Sequence, residues 1–303
     1  MSNDIYKSIC KKPKDCKRLI GINLEQLEQL ISHCKRLHQI KQEEIEKQKK
    51  RVIRPGGGQS PILNLENQII LTLLYLRHYL TFQMLGLMFQ VSESTAHNVF
   101  SYWQGLLEEG LPPSLLEQIK KYPEGGAELL EELTTQELVV DSTEQVIERP
   151  TEHREQRRTY SGKKKNFTFK NQLIVSSECL DIIDVEVGWS GRVSDISIWR
   201  NSQNHFALQQ RFIGDKAYIG EAQIRTPTKK PKNGELTRQQ KEESKQFSSE
   251  RIVVEHLIRL VKIFKVMQER FRLSKSRYGS IFLTVCGLVR LRLGCLELRL
   301  VES

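Results

Sequence analysis

Three stretches decide how this chain folds: ELVVDSTE (137–144), QRFIGDKAYIG (210–220) and SSERIVVEHLIRLVKIF (248–264). The first two contain short runs of β-branched and apolar residues that predict strands, and each run ends in an aspartate, Asp141 or Asp215. The third has helical periodicity and places Glu255 one turn into the predicted helix. An ionised carboxylate at the end of an apolar strand is costly to bury, so these residues are expected to meet water, a cation or a base.

Together these three carboxylates form a candidate metal site. Hard divalent cations such as Mg²⁺ prefer oxygen ligands, and they are commonly held by one or two carboxylates together with phosphate oxygens of the substrate. If Asp141, Asp215 and Glu255 converge in the fold, they can hold such an ion. The alternative is that they are three unrelated surface acids.

The chain is strongly basic, with a formal net charge of +10 and a pI near 9.3. This charge favours binding to a polyanion through release of its counterions. Its distribution is uneven: residues 149–170 contain eight Lys or Arg and two Glu, whereas residues 106–148 contain eleven acids and two Lys. Residues 251–303 contain eleven Lys or Arg and four acids. Two cationic segments therefore border the predicted carboxylate site, and we expect a nucleic-acid substrate.

No part of the sequence is typical of a membrane span or a secretion signal. The longest apolar stretch, residues 283–296, is interrupted by Arg290 and Arg292, and charged residues stand where a signal peptide would have its apolar core. The six cysteines form no Cys-x-x-Cys pair, so neither a zinc site nor a disulfide framework is predicted. We therefore expect a cytoplasmic protein with free thiols and without a membrane partner.

Glycine and proline residues divide the chain. The segment RPGGGQSP (54–61) cannot continue a helix and predicts a flexible or turn-forming boundary. Before it, Asn23 can cap a helix whose apolar residues from Leu24 to Leu37 recur on one face. We expect three parts: an N-terminal helical segment and linker (1–60), a helical domain (61–130) and a catalytic domain (135–303).

Two short helices are predicted in LTFQMLGLMFQVSESTAHNVFSYWQGLL (80–107), the first over 82–89 and the second over 93–104 with Ser92 as its cap. The exposed first turns of the second helix contain short polar side chains, at Ser94, Thr95, His97 and Asn98. Such side chains suit the recognition helix of a helix-turn-helix, whose first turns contact base edges in the major groove. The alternative is a plain αα-hairpin in which His97 is a solvated surface residue.

Taken together, these segments resemble the DDE transposases of bacterial insertion sequences, in particular the insertion-sequence-five-like group, which is similar to eukaryotic Harbinger-type transposases. The resemblance covers most of the chain. Residues 19–31 resemble the leading segment and 81–99 the helix-turn-helix; the catalytic blocks are VVDSTE, YSGKKKNFTFK, GDKAYIG and RIVVEHLIRLVKIF. The last block is similar to the Tyr-Arg-Glu-Lys signature of this superfamily through Arg251, Glu255 and Lys262, with Ser248 in the position of the Tyr.

This resemblance implies an α/β fold: an RNase H-like catalytic domain, with a mixed five-stranded sheet flanked by helices, preceded by an all-α helix-turn-helix region. The residues agree with it. Strands are predicted at 137–141, 165–176, 180–188, 211–215 and 224–228. One helix is expected to begin near Ser194. Another is expected from Arg251 to about Phe271, with an apolar face formed by Ile252, Leu257, Leu260, Val261 and Phe264.

The resemblance also implies a transposase that binds the ends of its insertion sequence and catalyses metal-dependent DNA cleavage and strand transfer. Asp141, Asp215 and Glu255 would be the catalytic residues and the ligands of two Mg²⁺ or Mn²⁺ ions, with Asp141 bridging both. The partners would be double-stranded DNA of the element ends and of the target, bound by a homodimer or higher oligomer in the bacterial cytoplasm at the nucleoid. Two alternatives are an RNase H-like endonuclease without strand transfer and a helix-turn-helix regulator.

Basic residues near the carboxylates are candidate DNA contacts. Lys163, Lys164 and Lys165 lie in a predicted turn near Tyr160 and Phe167, where they could meet phosphates; a solvated hairpin tip is the alternative. Lys229, Lys230 and Lys232 form a similar loop. Lys262 could touch a phosphate of the cleaved strand, and Arg251 could contact DNA or pair with a carboxylate. Two further acids, Asp195 and Glu144, are interpreted as part of a helix cap and as support for a loop.

Overall fold

A computed structural model of the chain describes residues 4–48, 61–228 and 237–298. They form two compact units. The first contains residues up to 111 together with 264–266 and 296–298, and the second contains 112–263 and 267–295. Most of the predicted boundary at 54–61, and the predicted loop with Lys229, Lys230 and Lys232, lie outside the described residues.

The first unit is built from helices: α1 (Ile5–Cys10), α2 (Pro13–Leu19), α3 (Leu24–Gln48), α4 (Leu65–His78), α5 (Phe82–Phe89) and α6 (Glu93–Gly110). In α3 the predicted apolar stripe is buried, from Leu27 to Leu37, and the polar second half stays helical to Gln48. The side chains of Asn64, Thr81 and Ser92 each accept a backbone N–H in the first turn of α4, α5 and α6. These helices begin where the sequence places a capping residue.

Helices α5 and α6 are the two short helices predicted from the sequence. Gln90 ends α5 in the left-handed conformation, with φ of 57°, and the Val91 N–H donates to the Gly86 carbonyl at 2.9 Å. A Cβ at Gly86 would lie 2.7 Å from the Val91 carbonyl oxygen, so this turn needs glycine. Helix α6 continues to Gly110 and buries Phe100 and Trp103 completely, whereas Val99, expected on the core side, is only half-buried.

A single sheet forms the centre of the second unit. Its strands are β1 (Glu137–Val146), β2 (Tyr160–Ser161), β3 (Asn166–Ser176), β4 (Ile182–Ser190), β5 (Arg211–Ile213) and β6 (Ile224–Arg225). The helices that follow α6 along the chain are α7 (Leu115–Lys121), α8 (Gly126–Thr135), α9 (His153–Thr159), α10 (Asp195–Ser202), α11 (Arg238–Glu250), α12 (Ile252–Lys262), α13 (Lys265–Gln268) and α14 (Tyr278–Leu293).

The strand order is β4-β3-β1-β5-β6, and the short β2 also pairs with β3. The β4–β3 and β3–β1 pairs are antiparallel, whereas the β1–β5 and β5–β6 pairs are parallel. This mixed sheet with flanking helices confirms the predicted α/β class. All five predicted strands are present, and β2 is an addition that closes a hairpin onto β3.

The helix predicted from Arg251 to Phe271 is shorter than expected. Helix α12 ends at Lys262, and only Arg251 separates it from the preceding α11. Its buried residues are Val254, Leu257, Leu260 and Val261, whereas Ile252 is 60% exposed. The assignment of Ile252 to the apolar face was wrong because two residues rotate a helix by about 200°, which places Ile252 opposite Val254. Phe264 is fully buried against Gly21, outside α12.

The core beneath the sheet is formed by apolar side chains of several strands and of α10, among them Leu138, Val140, Ile174, Phe212 and Trp199. On α14 the buried residues include the charged Arg290, whose guanidinium pairs with Asp181 at 2.7 Å. No helix within the described residues is both long and apolar enough to cross a bilayer. All six cysteines are unpaired.

Candidate active site

The parallel pairing of β1 and β5 brings Asp141 and Asp215 together. Val139 pairs with Ile213 at the end of this pairing, and each aspartate follows its paired residue by two positions. Because β5 stops at that pair, this edge of β1 is open from Asp141 to Gln145, before Ile147 forms a parallel bridge with Phe271. The charge of Asp215 raises the pKa of Asp141, as expected for neighbouring carboxylates.

Asp141 itself is a partly buried carboxylate, with its side chain 20% exposed. Its Oδ1 accepts the backbone N–H of Ser142 at 2.8 Å, and its Oδ2 lies 3.1 Å from Nη2 of Arg251. Burial raises the pKa of Asp141 to about 6; Arg251 and the Ser142 N–H act in the opposite direction, while Asp215 and Asp195 add to the rise. The charges of Asp215 and Asp195 thus act on the partly desolvated carboxylate of Asp141. A cation bound at this carboxylate would be stabilised.

Asp215 is held by the turn that follows β5. Its side chain caps a 3₁₀ turn over Lys216–Tyr218, with Oδ1 accepting the Ala217 N–H at 2.7 Å. The residue before it must be small, because a Cβ at Gly214 would lie 2.8 Å from Tyr218 Cδ2 and 2.9 Å from Ile224 Cγ2. The sequence Gly-Asp-Lys therefore places a carboxylate at the strand end while the backbone packs closely beneath it.

A buried hydroxyl links this turn to β1 and β3. Tyr218 is fully buried, and its hydroxyl lies 3.1 Å from Ser142 Oγ and accepts the Gln172 side-chain N–H at 3.0 Å. The same Gln172 amide donates to the backbone carbonyl of Asp195 at 3.2 Å. Burial raises the pKa of Tyr218 well above its usual range, so the phenol stays neutral. This network fixes the backbones that bear Asp141, Asp215 and Asp195.

Glu255 lies on the exposed side of the first turn of α12, one helical turn after Arg251. On a helix, Arg251, Glu255 and Lys262 fall on one stripe, and the two basic members act on Asp141: Arg251 by direct pairing and Lys262 by its charge. Glu255 has no ion-pair partner within the described part of the chain. The structure therefore brings Asp141, Asp215 and Asp195 together but does not join Glu255 to them.

Asp195 and Glu144 share a buried lysine. The side chain of Ser194 caps α10, and Asp195 is the first residue of that helix. Lys170 on β3 lies 3.0 Å from Asp195 Oδ1 and 4.0 Å from Glu144 Oε1 and donates to the Val193 carbonyl at 2.7 Å. Glu144 also accepts the Thr168 hydroxyl at 2.9 Å. The helix-cap interpretation thus applies to Ser194, while Asp195 and Glu144 both lie within 4.0 Å of the single charge of Lys170.

Basic side chains line a cavity of about 350 Å³ beside Ser142, among them Lys163, Lys164 and Lys262. Burial lowers the pKa of Lys262, nearby Lys164 lowers it further, and Asp141 and Glu144 act in the opposite direction. Lys165 is exposed with φ of 49° and lies outside this lining. Two of the three predicted hairpin lysines therefore reach the same cavity as Lys262.

In the first unit, the four predicted base-contacting residues lie on the first turns of α6. Ser94, His97 and Asn98 are exposed. Thr95 is half-buried, and its hydroxyl lies 2.8 Å from the capping Ser92 hydroxyl. The His97 ring packs edge-on against Phe82, with centroids 5.0 Å apart. Ser94 and Asn98 are thus the freest of these four side chains to contact a base edge.

Comparison with known proteins identifies these features. Residues 140–290 match the family described as DDE superfamily endonuclease, and residues 62–113 match the helix-turn-helix of DDE superfamily endonuclease. A probable transposase for insertion sequence element IS702 of Microchaete diplosiphon is 34% identical over 227 residues, which are 73% of this chain and 78% of the relative. This chain belongs to the DDE transposases of insertion sequences. The solved pre-cleavage Mos1 transpososome aligns with 84% of this chain and 83% of its own at 9% identity, with a TM-score of 0.22.

Membership of the DDE transposase family confirms the resemblance seen in the sequence. The protein is a transposase that binds DNA and cleaves it, with a helix-turn-helix ahead of an endonuclease domain. The plain αα-hairpin and the regulator without catalytic activity are thereby set aside.

A divalent metal is implied by this family. The donor set fits one: Asp141 and Asp215 supply neighbouring carboxylate oxygens, the ligands that hard cations prefer, at a position where negative charge is in excess. Within the described residues, no group of three or more His, Cys, Asp or Glu side chains is arranged to hold a metal ion. In this structure the guanidinium of Arg251 supplies the positive charge that Asp141 requires.

Several residues of this transposase site were missed by sequence reasoning. Lys170 and Gln172 lie within the strand β3. Two polar residues inside a strand that is largely buried were the signal that could have indicated a role for them. Tyr218 follows Asp215 by three residues, but its proximity to Ser142 depends on a contact 76 positions away in sequence. Their roles follow from the strand register, which sequence alone did not supply.

Proposed function

We propose that this transposase cleaves DNA at the ends of its insertion sequence and then joins the freed 3′ end to target DNA. Asp141, Asp215 and Glu255 would be the catalytic residues and would hold two Mg²⁺ or Mn²⁺ ions. The proposal is supported mainly by the open edge of β1, where Asp141 lies beside Asp215 with the Arg251–Lys262 stripe of α12 next to it. When bound, such ions stabilise the charge on the attacking and leaving oxygens of a displacement at phosphorus.

Both steps are in-line displacements at phosphorus. In the first, a water oxygen forms a bond to the scissile phosphorus, the bond to the 3′-oxygen breaks, and the products are a 3′-hydroxyl and a 5′-phosphate. In the second, that hydroxyl attacks a target phosphodiester and displaces its 3′-oxygen. Neither step needs a covalent protein–DNA bond, in keeping with the neutral, buried phenol of Tyr218.

The basic residues would position the DNA for these displacements. Lys163, Lys164, Lys165 and Lys262 would contact phosphates near the site, and Arg251 would move from Asp141 to the DNA when a metal ion takes its place. The first turns of α6, with Ser94, Thr95, His97 and Asn98, would contact base edges of the element ends.

We further propose that the transposase acts at the nucleoid, as a homodimer or higher oligomer bound to the DNA ends. The boundaries between its three parts would lie at about residue 60 and at residues 130–135.

The test compares Asp141→Asn, Asp215→Asn and Glu255→Gln on labelled DNA carrying the element ends. Each change keeps the side-chain volume and removes a charge that a hard cation requires, so cleavage should fall by at least about 100-fold. Binding to the ends should remain unchanged. Glu128→Gln, an exposed acid on α8, is the matched control and should cleave normally.

The same assay tests the ions and the joining step. Cleavage should require Mg²⁺ or Mn²⁺, and Ca²⁺ should support binding with little cleavage. Cleavage in the presence of a chelator would contradict the proposed metal requirement. Normal cleavage by one of the three variants would show that the replaced residue is not a metal ligand. A supercoiled target plasmid added to the reaction measures joining; cleavage without any joined product would identify an endonuclease that lacks strand transfer.

A further inference from the structure

A charged lysine is buried in the sheet of the second unit. Lys170 lies on β3, directly opposite Glu144 of β1 in the strand register, and only 7% of the residue is exposed. An ammonium group is costly to bury unless opposite charges and hydrogen-bond acceptors surround it. The charge of Lys170 is therefore expected to serve the groups around it.

Three groups from two other segments surround this ammonium group. Its Nζ donates to the Val193 carbonyl at 2.7 Å and lies 3.0 Å from Asp195 Oδ1 and 4.0 Å from Glu144 Oε1. Asp195 Oδ1 is shielded from solvent and accepts no hydrogen bond within the described residues. The other oxygen of Glu144, Oε2, accepts the Thr168 hydroxyl at 2.9 Å. The single positive charge of Lys170 is thus shared between two carboxylates.

The same two carboxylates are neighbours of the candidate metal site. The charge of Asp195 raises the pKa of Asp141. Glu144 lies on the same strand as Asp141, and the charges of both act to raise the pKa of Lys262, which burial lowers. Hard divalent ions bind carboxylate oxygens in general. Without a cation between them, Asp195 and Glu144 would therefore compete with the candidate metal ligands for the same ions.

We propose that Lys170 is a built-in counter-ion that keeps Asp195 and Glu144 from binding a divalent cation. The metal is thereby confined to the edge of the sheet that bears Asp141 and Asp215. This inference rests on the proposed function. Its physical reason is repulsion, because an ammonium group fixed between two carboxylates repels a second cation, most strongly where solvent is excluded. Lys170 is a positioning residue, since it acts on the metal through the two acids.

The test removes the charge of Lys170 and counts bound ions. Mn²⁺ binding to the full chain without DNA is measured for wild type and Lys170→Met from the paramagnetic resonance signal of free Mn²⁺. Lys170→Met keeps an unbranched side chain and leaves the two carboxylates uncompensated, so it should bind about one more ion per chain than wild type. Mn²⁺ should also raise the unfolding temperature of this variant more than that of wild type, because an ion bound only by the folded state stabilises that state.

Three further variants separate the charge of Lys170 from its packing. Lys170→Arg keeps the charge and should bind as many ions as wild type. Adding Asp195→Asn to Lys170→Met removes one of the two freed carboxylates and should abolish binding of the extra ion. Lys120→Met on α7 is the matched control, because it removes a lysine from an exposed ion pair with Glu117 at 2.6 Å and should leave Mn²⁺ binding unchanged.

If Lys170→Met binds no more ions than wild type, the inference is wrong. Asp195→Asn alone gives a second test that does not depend on the folding of Lys170→Met. It leaves one acid beside one lysine and should bind the wild-type number of ions, whereas loss of an ion would show that Asp195 is itself a ligand and would overturn the inference. The proposed function is judged separately, because its failure appears as absent metal-dependent cleavage by wild type, whatever number of ions the Lys170 variants bind.

Discussion

The hydroxyl of Tyr218 connects the residues around both aspartates. It lies 3.1 Å from Ser142, the neighbour of Asp141, and its own backbone belongs to the turn capped by Asp215. Gln172 donates to the same hydroxyl and to the carbonyl of Asp195. Because residues that orient metal ligands affect metal affinity as well as stability, Tyr218 is expected to act as a positioning residue.

Replacing Tyr218 by Phe should raise the metal concentration for half-maximal cleavage by about 10- to 100-fold. It should also lower the free energy of unfolding by about 1–3 kcal/mol, because the polar groups of Ser142 and Gln172 lose a buried partner. The measurement is cleavage rate across a metal titration, with thermal unfolding alongside.

The matched control is Tyr278→Phe. Tyr278 is also fully buried, and its hydroxyl accepts the Asn171 amide at 2.6 Å, away from the carboxylates. This variant should lose similar stability and keep the wild-type metal dependence. An unchanged metal requirement in Tyr218→Phe would show that its hydroxyl serves stability alone.

Two elements are proposed to contact DNA in different ways. Helix α6 presents exposed polar side chains from its first turns, a geometry suited to base edges in the major groove. The β2–β3 hairpin presents Lys163, Lys164 and Lys165, charges suited to phosphates of any sequence. Changes in α6 should therefore alter the sequence selectivity of binding, whereas changes in the hairpin should alter its salt dependence.

Replacing Asn98 by Ala should weaken binding to the element's own ends by about 1–3 kcal/mol and barely affect random DNA, because one base contact is lost. Replacing the three hairpin lysines by Ala should weaken binding to both DNAs alike. It should also reduce the log–log salt slope by roughly one unit per lost contact.

Affinities for both DNAs across a salt series measure these two effects together. The triple Lys→Arg variant keeps the hairpin charge and should restore the wild-type salt slope. A selective loss from the lysine variant, or a uniform loss from Asn98→Ala, would mean that the two elements have the opposite roles.

One buried ion pair in the second unit joins distant segments of the chain. Arg290 on α14 is 0% exposed and meets both oxygens of Asp181 at 2.7 Å. It also donates to the carbonyls of Pro112 and Ser114 and to the Gln118 side chain. All five guanidinium N–H groups therefore have partners, and residues more than 100 positions apart are connected through one side chain.

Removing one member of this pair should be costly. Asp181→Asn should lower stability by about 3–5 kcal/mol, because it leaves the charge of Arg290 buried and uncompensated. Calorimetry of the full chain measures the loss. The control is Asp184→Asn, three residues further along the chain on β4, where the partner His205 has a side chain that is 43% exposed and can be hydrated.

The control should therefore lose much less stability than Asp181→Asn. The double variant Asp181→Leu with Arg290→Met should recover only part of the loss, because it removes both buried charges but leaves the carbonyls of Pro112 and Ser114 without their donor. Equal losses in the two single variants would show that this ion pair has no special role.

Much of this fold was predictable from the sequence because its signals are local. The β-branched runs at 137–141 and 211–215, the capping residues Ser92 and Ser194, and the 3.6-residue periodicity of α12 each act within a few neighbours. The sequence also predicts both aspartates at strand ends: Asp215 does follow β5, but the prediction was wrong for Asp141, which lies within β1 because pairing with β3 continues that strand to Val146. Helix ends were less predictable, as the break after Lys262 shows, because the stability of a helix in a protein depends mostly on tertiary packing.

The partners of the site residues were decided only by the tertiary structure. Arg251 could have contacted DNA or paired with a carboxylate, and only the packing of α12 against β1 places its guanidinium 3.1 Å from Asp141. The register of β1, β3 and β4 brings Lys170 to Asp195 and the Tyr218 hydroxyl to Ser142. A sequence determines by itself those features whose energy arises between near neighbours. It leaves open the contacts that form only after long loops have closed, because each such contact depends on how all the intervening elements pack.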